Sequence, residues 1–292
     1  MPSSRSRYRP ESPADYSHRF HAANVGDVWK HCALVAVLGR IAERGGRVGY
    51  LESHAGEGRY TLAPTGEWTE GIGRLWSASE SSLERGPVAR YVALVRRLGR
   101  GAERPEVYPG SPAIAGALLG PDARLTLWER DAAAFARLEA EVAGDARATL
   151  RCGDGWCDIG AAARSAAAST DELVVFIDPP FSQKSDWSTA ADALAAAAHA
   201  APRASLLLWY PLKSLTRPNA MHARLEAAGV AATVAELVTT PLEHQRQRLN
   251  GSGVVLVRPP AGAVEELGAA APVIGRHCAI RGDRWSSRLV AW

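Results

Sequence analysis

Cysteine is scarce in this chain. Four stand in 292 residues, at Cys32, Cys152, Cys157 and Cys278. They make no C-x-x-C pair and no zinc spacing, so no disulfide framework is expected, and a reducing cytoplasm is the compartment they suit. No cluster of His and Cys has metal spacing, and no metal is expected. Long apolar runs are missing too. None reaches the roughly 18 residues needed to span a bilayer. The opening MPSSRSRYRPESP is basic but lacks the apolar stretch of a signal peptide, so membrane association is not expected. Charge of one sign is also lacking: 34 Lys and Arg against 31 Asp and Glu leave a formal +3. That balance permits a nucleic-acid partner without arguing for one, because a basic patch can sit on a near-neutral protein. Gly and Pro are scattered rather than periodic, which excludes a fibre, and 47% apolar residues is a globular composition.

The length fits one large α/β domain, or one domain carrying an insertion. Residues 1–13, rich in Ser, Arg and Pro, are expected to be a flexible lead-in to a domain spanning 14–292. Val28, Cys32, Val35 and Leu38 recur at helical spacing in the stretch Asp27 to Glu43, with Asp27 as a candidate cap. Arg47 to Glu52 (RVGYLE) reads as a strand running into SHAGEGRY, where Gly56 and Gly58 mark a tight turn. Residues 62–110 then interrupt the pattern and are expected to form a helical insertion, with helices in EWTEGIGRLW and PVARYVALVRRLGR. Afterwards strands RLTLWE, ATLRCGD, ELVVFID and SLLLWYP alternate with helices AIAGALL, AAAFARLEAEV, AAARSAAA and ADALAAAAHAA, and TVAELV and GVVLVRP follow as further strands. Such alternation predicts a Rossmann-like α/β fold, a doubly wound and mostly parallel sheet with right-handed crossovers.

Ligands in such sheets bind at the carboxyl ends of the strands. Gly56 and Gly58 follow the first strand. They read either as a plain turn or as a place where backbone N–H groups approach a ligand at a helix start. Glu129 ends RLTLWE, where an acid accepts from ribose hydroxyls in nucleotide-binding folds or simply faces solvent. Gly153-Asp154-Gly155 follows ATLRC; Asp154 reads either as an acceptor for an adenine amine or as an Asx-type turn.

Asp178-Pro179-Pro180-Phe181 carries the most specific chemistry, at the end of the apolar strand LVVFI. The lone pair of adenine N6 is delocalised into its ring, so the nitrogen is a weak nucleophile. Two acceptors on its two hydrogens pull it toward tetrahedral geometry and free the lone pair. Asp178 supplies one acceptor and the Pro179 carbonyl the other, and the prolines fix φ and so hold that carbonyl. Phe181 can stack on a base that has left its helix. The alternative is a strand-end loop with a core Phe.

Together these residues resemble the S-adenosylmethionine-dependent N6-adenine methyltransferases. The chain is most similar to the bacterial 23S ribosomal RNA (adenine-N6) methyltransferases of the RlmJ type. The resemblance runs from about Tyr16 to the last strands and rests on SHRFHAANVGDVWKH, YLESHAGEGRY, TGEWTEGIGRLW, YPGSP, LWE, GDG, IDPPF, LWYP and NGSGVVLVRPP. It implies methylation of an adenine in 23S ribosomal RNA by a cytoplasmic, monomeric enzyme. It also implies that Lys30, His31, His54, Ser111, Glu129, Asp154 and Gly155 line the S-adenosylmethionine pocket with Gly56, Gly58 and Asp178. Asp178 would be the catalytic residue, with Pro179 and Phe181 beside it and Tyr16 over the site. Phe181 stands where the family often has Tyr. The alternatives are a DNA N6-adenine methyltransferase, for which no DNA-reading domain is visible, and a non-catalytic RNA-binding relative, which would be expected to lose DPPF or the glycines. Arg96, Arg97, Arg100, Lys213, Arg217, Arg246 and Arg248 are candidates to grip RNA, and each reads equally as a solvated surface charge.

Overall fold

The computed structural model describes residues 20–79, 81–83, 86–243, 249–280 and 284–292. Tyr16, Arg246, Arg248 and the lead-in 1–13 lie outside them.

An eight-stranded sheet forms the centre. In chain order its strands are β1 (Val48–Glu52), β4 (Arg124–Glu129), β5 (Ala148–Cys152), β6 (Glu172–Ile177), β7 (Ser205–Leu212), β8 (Thr233–Val238), β9 (Gly251–Val257) and β10 (Ser286–Ala291). Their spatial order is β10-β8-β9-β7-β6-β1-β4-β5. Pairings among β1, β4, β5, β6 and β7 are parallel, whereas β9 runs antiparallel to β7 and β8, and β10 antiparallel to β8. The expected doubly wound, mostly parallel α/β sheet is therefore the observed one, with two strands, β9 and β10, reversed toward one edge. All five residues of β1 are buried, as a central parallel strand covered on both faces requires.

One face is covered by α1 (Val25–Arg44), α3 (Pro87–Leu98), α4 (Ser111–Leu118), α5 (Ala132–Glu141) and α9 (Ala263–Cys278), with the short helix α2 (Ile72–Trp76) among them. The other is covered by α6 (Gly155–Ala167), α7 (Asp186–Ala200) and α8 (Thr216–Ala227). The fully buried Trp29 pins α1 to the sheet by donating its indole N–H to the Ala235 carbonyl at 3.0 Å. Alanine both favours the helix and lets α7 approach closely: Ala190, Ala191, Ala193, Ala197 and Ala198 are all buried. Among the described residues no helix is long and apolar enough to cross a membrane.

Several local expectations change. Asn24, not Asp27, caps α1, accepting from the Asp27 N–H at 3.0 Å; Asp27 turns its carboxylate back to the Ala23 N–H and across to Lys30. The Gly56–Gly58 turn does not open a helix. It leads into β2 (Arg59–Thr61), which pairs antiparallel with β3 (Val107–Pro109). EWTEGIGRLW is not one helix: a 3-10 turn, Glu67–Thr69, is broken from α2 at Gly71, whose backbone sits against that of Ala23 and Asn24. Helices α8 and α9 and strand β10 had no counterpart in the sequence reading.

After β1 the chain builds β4 and β5 on one side and then returns to β6 on the other. The reversal opens a crevice at the carboxyl ends of β1 and β6, where ligands bind in such sheets.

Candidate active site

Asp178 leaves β6 at this crevice, and Lys30 meets it from α1. Lys30 Nζ lies 2.7 Å from Asp178 Oδ2 and 2.7 Å from Asp27 Oδ1, so one buried ammonium bridges two carboxylates. It also lies 5.3 Å from the centre of the Trp209 ring. Burial penalises the charge on Lys30, but Asp178 and Asp27 outweigh that and raise its pKa above the usual range. Burial raises the Asp178 carboxyl above its ordinary value, and Lys30 pulls it partway back. Burial also opposes charge on Asp27, yet Lys30 and His31 beside it hold that carboxyl low.

Glu52, the last residue of β1, is fully buried. Tyr50 donates its hydroxyl to Oε2 at 2.9 Å, and Ser111, at the start of α4, donates to Oε1. Burial pushes the Glu52 carboxyl up to about 8 against those two bonds, with Asp178 adding to the rise.

The glycine turn is held from the neighbouring strand. Glu129 accepts from the Gly56 N–H at 2.9 Å through one oxygen and from the Asp131 N–H at 2.8 Å through the other. Gly58 accepts from the Gly110 N–H at 2.8 Å, which ties the turn to the residue before Ser111. Asp154 caps α6 by accepting from the Trp156 N–H at 3.0 Å, the Asx-type use. Gly155 is buried against Ser53, where a Cβ would overlap the Ser53 backbone. His54 shares a hydrogen bond with Ser53 Oγ at 2.8 Å and packs edge-on against Trp156 at 4.6 Å. Burial drives its pKa down to about 4, so it is neutral near pH 7. His31, buried more completely, is pushed down to about 3. Its Nδ1 shares a hydrogen bond with the Tyr108 hydroxyl at 2.7 Å.

Phe181 is half-buried. Its ring stands 4.4 Å from that of Trp187 and 6.2 Å from that of Trp209. Its φ of +48° is uncommon for an aromatic residue and turns the chain sharply after the two prolines.

The fold thus gathers Glu129, Asp154, Gly155, Asp178, Pro179, Phe181 and the glycine turn at the carboxyl ends of parallel strands, and Lys30 reaches them from α1. His54 lies in the loop of the glycine turn itself, and His31 and Ser111 stand on helices bonded to the loops at these strand ends. Arg96, a candidate RNA contact, instead donates to the Trp76 carbonyl at 2.6 Å and stands over the Trp76 ring, while Arg97, Arg100, Lys213 and Arg217 are exposed. Three residues of the site are not singled out as site residues in the sequence. Glu52 reads as the tail of an apolar strand. Asp27 reads as a cap, although its spacing of three from Lys30 marks a helical ion pair. Trp209 reads as a strand residue.

S-adenosylmethionine fits this crevice on two observations. Among the described residues the His31 Nε2 is buried without a hydrogen-bond partner, a polar group that a ligand would satisfy. Asp27 and Asp178 share one Lys30, leaving an excess of negative charge that favours a cationic ligand.

Residues 47–290 match the family model described as ribosomal RNA large subunit methyltransferase D, RlmJ. The chain is 31% identical over 251 residues to ribosomal RNA large subunit methyltransferase J of Haemophilus influenzae, covering 84% of this chain and 87% of the relative. It is 30% identical over 263 residues to the protein of the same name from Escherichia coli K12, covering 88% and 91%. A crystal structure of a Legionella pneumophila protein superposes with a TM-score of 0.82 at 22% identity, covering 93% of this chain and 98% of that one, and so shares the fold. With a family model spanning the sheet and every loop of the crevice, and two relatives at this identity over most of their length, the chain belongs to the RlmJ family of ribosomal RNA large subunit methyltransferases.

Proposed function

We propose that the protein moves the methyl group of S-adenosylmethionine onto the N6 amine of an adenine in 23S ribosomal RNA. The observation that carries the reading is Asp178-Pro179-Pro180-Phe181 at the carboxyl end of β6, its carboxylate gripped by Lys30 and its aromatic ring half-exposed beside Trp209. S-adenosylmethionine supplies an electrophilic methyl on a positively charged sulfur. Residues of the chain do the rest by position and charge. Lys30 occupies Asp178 Oδ2, which leaves Oδ1 as acceptor for one amine hydrogen. The Pro179 carbonyl takes the other, and Phe181 stacks on the base. Lys30 opposes the burial that favours protonating Asp178, and so favours the ionised form, which accepts. The bond to the amine nitrogen forms as the methyl–sulfur bond breaks, S-adenosylhomocysteine is the leaving group, and the methylated nitrogen, an acidic arylammonium, gives its extra proton to water without a strong base. Glu129 and the turn it holds, with Ser111, His31, His54, Asp154 and Gly155, form the cofactor side of the crevice.

Residues 14–292 act as one methyltransferase domain, a monomer of the cytoplasm, with 62–110 inserted into it. The pairing of β2 with β3 supports the insertion, because it brings the two ends of that stretch side by side. Incubating 23S transcripts with protein and S-adenosylmethionine, then digesting to nucleosides for mass spectrometry, tests the reading. N6-methyladenosine is expected; its absence, with methyl appearing on duplex DNA instead, would refute the RNA assignment.

A further inference from the structure

His31 is joined to a chain of hydroxyls that ends in the inserted stretch. Its Nδ1 lies 2.7 Å from the Tyr108 hydroxyl, and that hydroxyl lies 2.8 Å from the hydroxyl of Tyr91 on α3. All three side chains are buried, at 2%, 1% and 0% exposure. Among the described residues Tyr91 has no other hydrogen-bond partner, and His31 Nε2 has none at all.

Counting protons decides how this chain runs. A neutral imidazole carries one N–H and one bare nitrogen, and each hydroxyl has one proton to give. Suppose His31 carried its proton on Nδ1. It would donate to Tyr108, Tyr108 would donate to Tyr91, and the Tyr91 hydroxyl would be left in the core with no acceptor. His31 Nε2 would also be a buried acceptor with no donor. Two polar groups would be orphaned. In the opposite sense Tyr91 donates to Tyr108 and Tyr108 donates to Nδ1. Every hydroxyl proton is then satisfied, and a single group, an Nε2–H donor, is left over. Buried polar groups without partners are costly, so the second arrangement wins.

We propose that the Tyr91–Tyr108 hydroxyl pair locks His31 as the Nε2–H tautomer, so that His31 presents a donor to the amino-acid carboxylate of the methyl donor. The proposal rests on the reading above that S-adenosylmethionine binds here. Of the groups on that molecule the carboxylate is the strong acceptor, and a charge-assisted bond is what a lone buried N–H suits. The position is consistent: Tyr108 pairs with Tyr60 beyond the glycine turn, and it precedes Gly110 and Ser111 at the start of α4. Tyr91 and Tyr108 are thus positioning residues. The inserted stretch supplies both, and so reaches into the cofactor side of the crevice from behind.

The tautomer is read directly from histidine labelled with nitrogen-15 in the ligand-free protein, by long-range proton–nitrogen correlation. His31 is expected with its proton on Nε2 in the wild type. Tyr108→Phe removes the donor to Nδ1 without changing the ring, and the tautomer ratio should move by about tenfold or more. Tyr91→Phe should move it in the same direction by less, and stands in if the first variant folds poorly. In a calorimeter Tyr108→Phe should weaken S-adenosylhomocysteine by about tenfold. It should leave 5′-methylthioadenosine, which lacks the amino-acid group, unchanged. A wild-type Nδ1–H tautomer would overturn the proposal, as would a ratio that neither variant moves or an equal loss of both ligands. Wild-type protein with the Nε2–H tautomer that binds neither compound would leave the lock standing and sink the methyl-donor reading instead.

Discussion

Replacing Glu52 by Gln removes one titration from the folding equilibrium. Glu52 is wholly buried, and burial raises its carboxyl from the ordinary 4.5 to about 8. A carboxyl raised on folding means that the native state binds the proton more tightly than the unfolded chain. Below the unfolded value both states are protonated and the residue costs nothing. Between about pH 4.5 and pH 8 folding takes up a proton, and stability falls as pH rises, by at most about 1.4 kcal/mol per unit. Above about 8 the full penalty is present, on the order of 5 kcal/mol. Gln has nothing to lose across this window. Its amide can also keep both neighbours, because the Tyr50 and Ser111 hydroxyls now donating to Glu52 can each accept instead. Denaturant unfolding of wild type and Glu52→Gln at half-unit steps from pH 5 to pH 9 measures the difference. The variant should gain on the wild type steadily with pH and level off near pH 8 to 9. Parallel stability curves, within about 1 kcal/mol over the range, would show that Glu52 is not titrating there and refute the reasoning.

The other predictions concern the crevice itself. Asp178→Asn keeps the shape but loses the charge that Lys30 and the amine both seek; turnover should fall by about 10²–10³-fold, with far less change in S-adenosylhomocysteine affinity measured by calorimetry. Phe181→Ala should weaken RNA use by about 1–3 kcal/mol through lost stacking; a melt lowered by the several kcal/mol of an emptied core, with a normal rate per folded molecule, would assign the ring to packing instead. Gly155→Ala drives a Cβ into the Ser53 backbone, which cannot rotate aside; it should cost about 1–3 kcal/mol of stability and loosen cofactor binding, seen by melt and titration together.

What was legible in the sequence was what is local. Asp178 to Phe181 stand together in the chain, so their chemistry could be argued before their place was known. The β1 turn, Glu129 and Gly153–Gly155 each close a strand, and strand ends show in apolar patterning. The missed parts depend on distance or on rules that context overrides. Asp178 meets Lys30 across 148 positions of sequence, and no spacing rule reaches that far. The chain from His31 through Tyr108 to Tyr91 exists only because β3 lies back against α1 and α3. Helix α9 holds Pro272 in its interior, where proline argues against a helix, yet burial of Leu267, Ala270, Ala271, Val273 and Ile274 outweighs the lost bond. Strand β10 is exposed at every position and carries no alternation to detect; its pairing with β8 alone makes it a strand.

The pairing of Lys30 with Asp178 bears on how such a crevice can orient an amine without abstracting its proton. A lone carboxyl this deeply buried would tend to hold a proton, and a protonated acid would offer the amine a donor where an acceptor is needed. Lys30 opposes that tendency. Lys30 in turn would be an expensive buried cation with one partner in use, and Asp27 steadies it from the first turn of its own helix. The three groups make a chain in which each charge justifies the next, and the sum is one negative charge. In a place of low dielectric that excess draws a cation strongly. The arrangement therefore does two things through the same atoms. Under the proposed function it would favour Asp178 as an acceptor for the base, and it would leave the crevice negative for a positively charged donor of the methyl group.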